Sequence, residues 1–143
     1  MTITVRPATA DDAHGLTACI DAAYAPYVAK GLDLPPVSEG IAGDIRDHHV
    51  WVATRGDRIV GGIVLVLDDT AHLANLAVHP DAGGQGLGQA LIATATSAAR
   101  AAGYDRLHLA THIEMTGTQG FYLRLGWVEA GRDGNKVYFE MQL

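Results

Sequence analysis

Val78-His79-Pro80-Asp81-Ala82-Gly83-Gly84-Gln85-Gly86-Leu87-Gly88-Gln89-Ala90-Leu91 is the stretch on which the fold turns. An alternating apolar segment ends at Val78, glycines follow at 83, 84, 86 and 88, and a helical pattern opens at Leu87. Glycine lets a backbone approach a ligand closely and turn its N–H groups inward. A helix start adds unpaired donors and the positive end of a dipole. The combination suits a diphosphate. Two nucleotide readings fail on spacing: no three of these glycines make G-x-G-x-x-G, and no Gly-Lys-Ser/Thr follows. The plain alternative is a flexible turn ahead of a helix.

Upstream of this stretch, residues 2–6 alternate as a short strand. Thr9 and Asp12 have the spacing of a capping box for a helix over 10–24, with Leu16, Cys19, Ile20 and Ala23 on one face and Pro26 as its end. Ser38 is placed to cap a short helix over 39–47. Residues 50–54, 59–67 and 71–78 read as an antiparallel meander, with Gly61-Gly62 marking a bulge or a close approach. Downstream, Leu87, Leu91, Ala95, Ala98 and Ala102 line one face of a helix closed by Gly103. A strand over 106–111 follows, then a helix over 117–125, then strands over 127–131 and 136–142 around Asp133-Gly134. The expected architecture is α/β (mixed α+β): a mixed, mostly antiparallel sheet of six to seven strands, flanked by about four helices.

Composition narrows the partners. A chain of 143 residues with 48% hydrophobic and 18% charged residues is globular and fits one domain, 1–143. Ten basic residues against 16 acidic, for a net charge of −6, argue against nucleic acid. The apolar run from Ile59 to Leu67 is too short to span a membrane, and the first residues lack the pattern of a secretion signal. Cys19 stands alone, so no disulfide or cysteine-based zinc site can form within the chain, and a reducing cytoplasm is the expected compartment. The seven histidines show no metal-ligand spacing, so no metal is expected.

The strand, Val-x-Pro, glycine loop and helix resemble the acetyl-CoA signature of the GNAT superfamily of N-acetyltransferases, Gln/Arg-x-x-Gly-x-Gly/Ala. Gly86 and Gly88 fall on its last two defined positions, and Gly83 stands where the superfamily carries Arg or Gln. Phe121-Tyr122-Leu123-Arg124-Leu125-Gly126-Trp127 is similar to a second motif, Phe-Tyr-x-x-x-Gly-Phe. The element order matches the superfamily from end to end.

That resemblance implies direct transfer of an acetyl group from acetyl-CoA to an amine of a small molecule or peptide. It implies a coenzyme site made of Leu76, Ala77 and Val78 on the strand and Gly83, Gly84, Gln85, Gly86, Leu87, Gly88 and Gln89 on the loop and helix start. It makes Tyr122 the general acid for the departing thiolate. The superfamily's strand carboxylate is missing here, and His72 is the candidate base. The acceptor is expected between Tyr24 and Asp47, beside Tyr24, Tyr27, Asp33, Glu39, Asp44 and Asp47, an acidic and aromatic frame for a cation. A homodimer is consistent with superfamily habit. The competing readings are a non-catalytic acyl-CoA-binding regulatory module and a phosphate-binding protein of another class.

Overall fold

The computed structural model describes residues 2–36 and 38–143. Its strands are β1 (Ile3–Pro7), β2 (His49–Arg55), β3 (Arg58–Leu67), β4 (Ala71–Val78), β5 (Arg106–His112), β6 (Val128–Asp133) and β7 (Lys136–Gln142). Its helices are α1 (Ala13–Ala29), α2 (Ile41–Asp47), α3 (Leu87–Ala101) and α4 (Thr116–Arg124), with 3₁₀ turns at Ala10–Asp12 and Pro80–Ala82. The strands form one seven-stranded sheet in the order β1-β2-β3-β4-β5-β7-β6. All pairs are antiparallel except β4–β5, as the expected mixed sheet requires.

Two apolar layers hold the helices on opposite faces. Leu16 and Ile20 of α1 and Ile41 of α2 pack on Val50, Val52, Val64, Val66 and Ala77. Leu87, Leu91, Ala95 and Ala99 of α3, with Tyr122 of α4, pack on Val60, Ile63, Leu65, Leu107, Leu109, Val137 and Phe139. Gly61 and Gly62 are a close approach on both faces. A Cβ at Gly62 would collide with the Leu16 side chain, and one at Gly61 would sit 3.1 Å from Leu87 Cδ2. The bulge is displaced: the β2–β3 register shifts between Ala53 and Thr54, which leaves Val60 as the extra residue.

Other expectations shift by a turn. α1 runs through Pro26 to Ala29 rather than ending there. Pro26 is exposed, a position at which water can replace the lost hydrogen bond. α2 begins at Ile41, and its N-cap is Gly40 in the left-handed region (φ 78°) rather than Ser38. On α3 the buried stripe is Leu87, Leu91, Ile92, Ala95, Thr96 and Ala99, while Ala102 is exposed. A run of alanines carries little information about which of them faces the core.

The Thr9–Asp12 spacing works as expected. Thr9 N–H donates to Asp12 Oδ2 at 2.7 Å, and Arg6 grips both carboxylate oxygens at 2.7 and 2.9 Å. The Arg6 bonds hold the Asp12 carboxyl down at about 2, below its ordinary 3.8. A folded value below the unfolded one stabilises the fold fully above about pH 4 and ceases to do so as the pH falls toward 2. Asp12→Asn is therefore expected to cost about 1–2 kcal/mol at neutral pH. Urea midpoints of the two proteins should converge as the pH falls from about 4 to about 2; a gap that stays constant would contradict this account.

Candidate active site

The parallel pairing of β4 with β5 covers only Ala71↔Leu107 and His72↔His108. Beyond that rung the strands separate, and their free edges line a cleft of about 1020 Å³. Its walls include Leu76, Ala77 and Val78 from β4, Gly83, Gly84, Gly86, Leu87, Gly88 and Gln89 from the glycine loop and α3, and Phe121 and Tyr122 from α4. His72, Tyr24, Tyr27 and Asp33 line it too. Leu76 and Val78 pack against the α3-side core and also line the cleft. The strand therefore serves packing and opening at once.

The glycine loop has two kinds of glycine. Gly84 (φ 75°) and Gly86 (φ 72°) occupy the left-handed region and face open space. Gly83 has an ordinary extended backbone (φ −66°), and a Cβ there would meet only Pro80 O at 3.5 Å. Gly88 serves contact: a Cβ would lie 3.2 Å from Phe121 Cζ. The two sequence motifs thus touch, the glycine of one making room for the ring of the other. Gln85, expected at the coenzyme, does not line the cleft; its Oε1 accepts from Arg55 Nη2 at 3.3 Å. Arg58 reaches Asp81 Oδ2 at 3.1 Å. Two guanidiniums of the β2–β3 hairpin thus brace a loop that has no basic side chain of its own.

Tyr122 is 6% exposed, with Trp127, Phe139 and Phe121 rings at 5.7, 5.9 and 5.4 Å. The residue lines the cleft. Burial pushes its phenol well above the usual range, and the neighbouring Tyr24 phenol adds to the shift. Tyr24 is itself raised by burial and then by Tyr27. Both stay protonated at neutral pH and can donate. Cys19 is buried, and burial pushes its thiol up to about 11, which suits a core residue rather than a nucleophile.

The acceptor frame needs correction. Tyr24, Tyr27 and Asp33 line the cleft, but Glu39, Asp44 and Asp47 do not. Arg46 holds Asp47 at 3.0 Å on an exposed helix end. Sequence reasoning also passed over His108, Tyr138 and Lys136, all of which line the cleft. Spacing along the chain carries no sign of them, because strand pairing brings them there. Among the described residues no group of three or more His, Cys, Asp or Glu side chains is placed to hold a metal, and no helix is long and apolar enough to cross a membrane.

Glycine amides free of side chains, an open strand edge and a cleft of this volume fit a long, thin, phosphate-bearing thioester. Comparison with known proteins agrees. Residues 46–129 match the family described as acetyltransferase (GNAT) domain. The chain is 32% identical over 129 residues to the aminoalkylphosphonate N-acetyltransferase of Salmonella typhimurium, covering 82% of this chain and 84% of that protein. It is 31% identical over 115 residues to N-acetyltransferase 8B of Rattus norvegicus, covering 74% of this chain and 51% of that one, so it spans about half the length of that relative. The fold is that of the PaiA N-acetyltransferase of Thermoplasma acidophilum, solved in complex with coenzyme A, with a TM-score of 0.88 at 18% identity over 100% of both chains. The chain belongs to the GNAT acetyltransferase family and is an acetyl-CoA-dependent acetyltransferase.

Proposed function

We propose that this enzyme moves the acetyl group directly from acetyl-CoA to the primary amine of a small molecule or peptide, within a single domain, 1–143. The observation that carries this reading is the opening of β4 from β5 after two paired residues, with the glycine loop and Tyr122 lining the cleft. Acetyl-CoA supplies the activated acyl group and a thiolate leaving group. Everything else falls to the protein.

Amides of residues 83–88 and the start of α3 hold the pyrophosphate. Leu76, Ala77 and Val78 present backbone groups to the pantetheine arm and to the carbonyl oxygen as it gains negative charge. Tyr122 gives its proton to the departing sulfur; burial raises the basicity of that thiolate as well as of the phenol, so the transfer stays matched. His72, on the last paired rung at the acceptor end, takes the proton from the amine directly or through water. Direct transfer needs no protein nucleophile, in keeping with the buried, high-pKa Cys19. The chain works in the cytoplasm, where its lone thiol stays reduced. The outer edge of β6 is open to a second copy, which gives a homodimer.

The test combines two measurements. Acetyl-CoA and CoA should raise the melting temperature, ATP and NAD should not, and mixing acetyl-CoA with a panel of amines should release free thiol. Stabilisation by acetyl-CoA without turnover on any amine would make the chain a regulatory acyl-CoA binder instead. Equal stabilisation by ATP or NAD, with none by CoA, would reject the coenzyme site itself.

A further inference from the structure

The acceptor end of the cleft contrasts in charge with the rest of the molecule. The chain carries 16 acidic residues against 10 basic, yet among the described residues only one carboxylate, Asp33, lines the cleft. Lys136, one of the chain's two lysines, lines it as well. The β5–β7 ladder pairs His108 with Glu140, Ala110 with Tyr138 and His112 with Lys136. Paired residues share a face, and these lie opposite Leu107, Leu109, Val137 and Phe139, which are in the core. His72 joins the same face through its pairing with His108. The floor beneath the acceptor is therefore His72, His108, Tyr138 and Lys136 around the small side chain of Ala110. Glu140 is on this face but does not line the cleft.

The rim is drawn together across the chain: Asn135 Nδ2 donates to the Asp33 carbonyl oxygen at 3.5 Å. That contact brings the loop after α1 to the β6–β7 turn, and so brings Asp33 and Lys136 to one mouth. The two charges do not form an ion pair with each other, and Lys136 has no ion-pair partner among the described residues. Opposite charges held at one opening but left unpaired complement a ligand that itself carries both signs.

We propose that the acceptor is an amine bearing an anionic oxyacid group, its ammonium drawn in past Asp33 and its anion held by Lys136 with the Tyr138 hydroxyl, its same-face neighbour on β7. This rests on the acetyl transfer described above and names the substrate class for the same site. A phosphonate and a carboxylate share the chemistry that Lys136 recognises, a delocalised anion that accepts charge-assisted hydrogen bonds. Lys136 and Tyr138 are specificity determinants rather than catalytic residues, since neither is given a proton or a bond in the transfer.

The test compares three acceptors of similar length, 2-aminoethylphosphonate, β-alanine and n-propylamine, with the intact enzyme and saturating acetyl-CoA. At least one acid-bearing amine should exceed n-propylamine in kcat/KM by about tenfold or more. The ratio of phosphonate to carboxylate tells which oxyacid the site prefers. Lys136→Met should remove that advantage mainly through KM while leaving n-propylamine within about twofold, and Lys136→Arg should restore it. Lys136 is exposed at a strand start, and the melting-temperature rise with acetyl-CoA reports that each variant is folded and loaded. If n-propylamine is acetylated as well as the acids, or if Lys136→Met lowers all three alike, the substrate class is wrong while acetyl transfer stands. If none of the three is acetylated, and no other amine is, both readings fall together.

Discussion

Tyr122→Phe is expected to lower kcat by about 10²–10³-fold and to leave acetyl-CoA affinity within about twofold. The substitution deletes one oxygen and keeps the ring that packs against Trp127 and Phe139. Because the ring packing is kept, the fold should keep its melting temperature within a few degrees. What disappears is a protonated donor in a dry place. Without it the thiolate must leave unprotonated, or wait for water in a site built to exclude it. Pre-steady-state mixing with acetyl-CoA and amine reads the chemical step directly. A variant with wild-type kcat would remove Tyr122 from the mechanism and leave it a core aromatic. A variant with a low kcat and a large rise in acetyl-CoA Kd would point to binding instead of proton transfer.

This result also bears on Tyr24. Tyr24, on α1, lines the same cleft as Tyr122 and adds to the upward shift of its phenol. Tyr24 and Tyr27 are one helical turn apart, with ring centroids 6.4 Å apart. The cleft is thus lined by the buried Tyr122 phenol and by the half-buried Tyr24–Tyr27 pair.

Local signals in this sequence are strong where one residue type has one physical job. The glycine loop, the Phe-Tyr motif, the Thr9–Asp12 spacing and the Asp133-Gly134 turn each specify their element without outside help. Errors arise where tertiary context decides. Pro26 is an effective helix breaker in general, but an exposed proline near a helix end is tolerated, and α1 continues to Ala29. The acidic side chains of 39–47 look like a cation site in sequence, yet Glu39, Asp44 and Asp47 do not line the cleft. His108 illustrates the limit most clearly. It lies 36 residues from His72 along the chain, and only the parallel β4–β5 rung makes them neighbours. A non-local pairing of that kind leaves no periodicity to read, and neither do the contributions of Tyr138 and Lys136 from β7.

Gly86→Val is expected to weaken acetyl-CoA binding by about ten- to a hundred-fold, whereas Gly83→Ala should leave it nearly unchanged. Both residues belong to the same loop, and composition alone would treat them alike. Their backbones differ. Gly86 holds φ at 72° as the N-cap of α3, a conformation that a β-branched residue avoids. Valine there would pull the chain toward negative φ and rotate the first free amides of α3 away from the pyrophosphate, so the loss should appear in affinity more than in kcat. Gly83 already has φ near −66°, with space for a Cβ, and its amide survives substitution by alanine. Titration of acetyl-CoA by calorimetry separates the cases, with melting temperatures of the free proteins as the control for folding. If the two variants lose affinity equally, the loop acts through its flexibility. If neither does, the phosphates are held elsewhere, with Arg55 and Arg58 of the β2–β3 hairpin as the nearest cations to the loop. The expected split instead assigns the binding energy to the direction in which residues 84–88 aim their amides, a property of backbone angle that a valine can destroy and an alanine at 83 cannot.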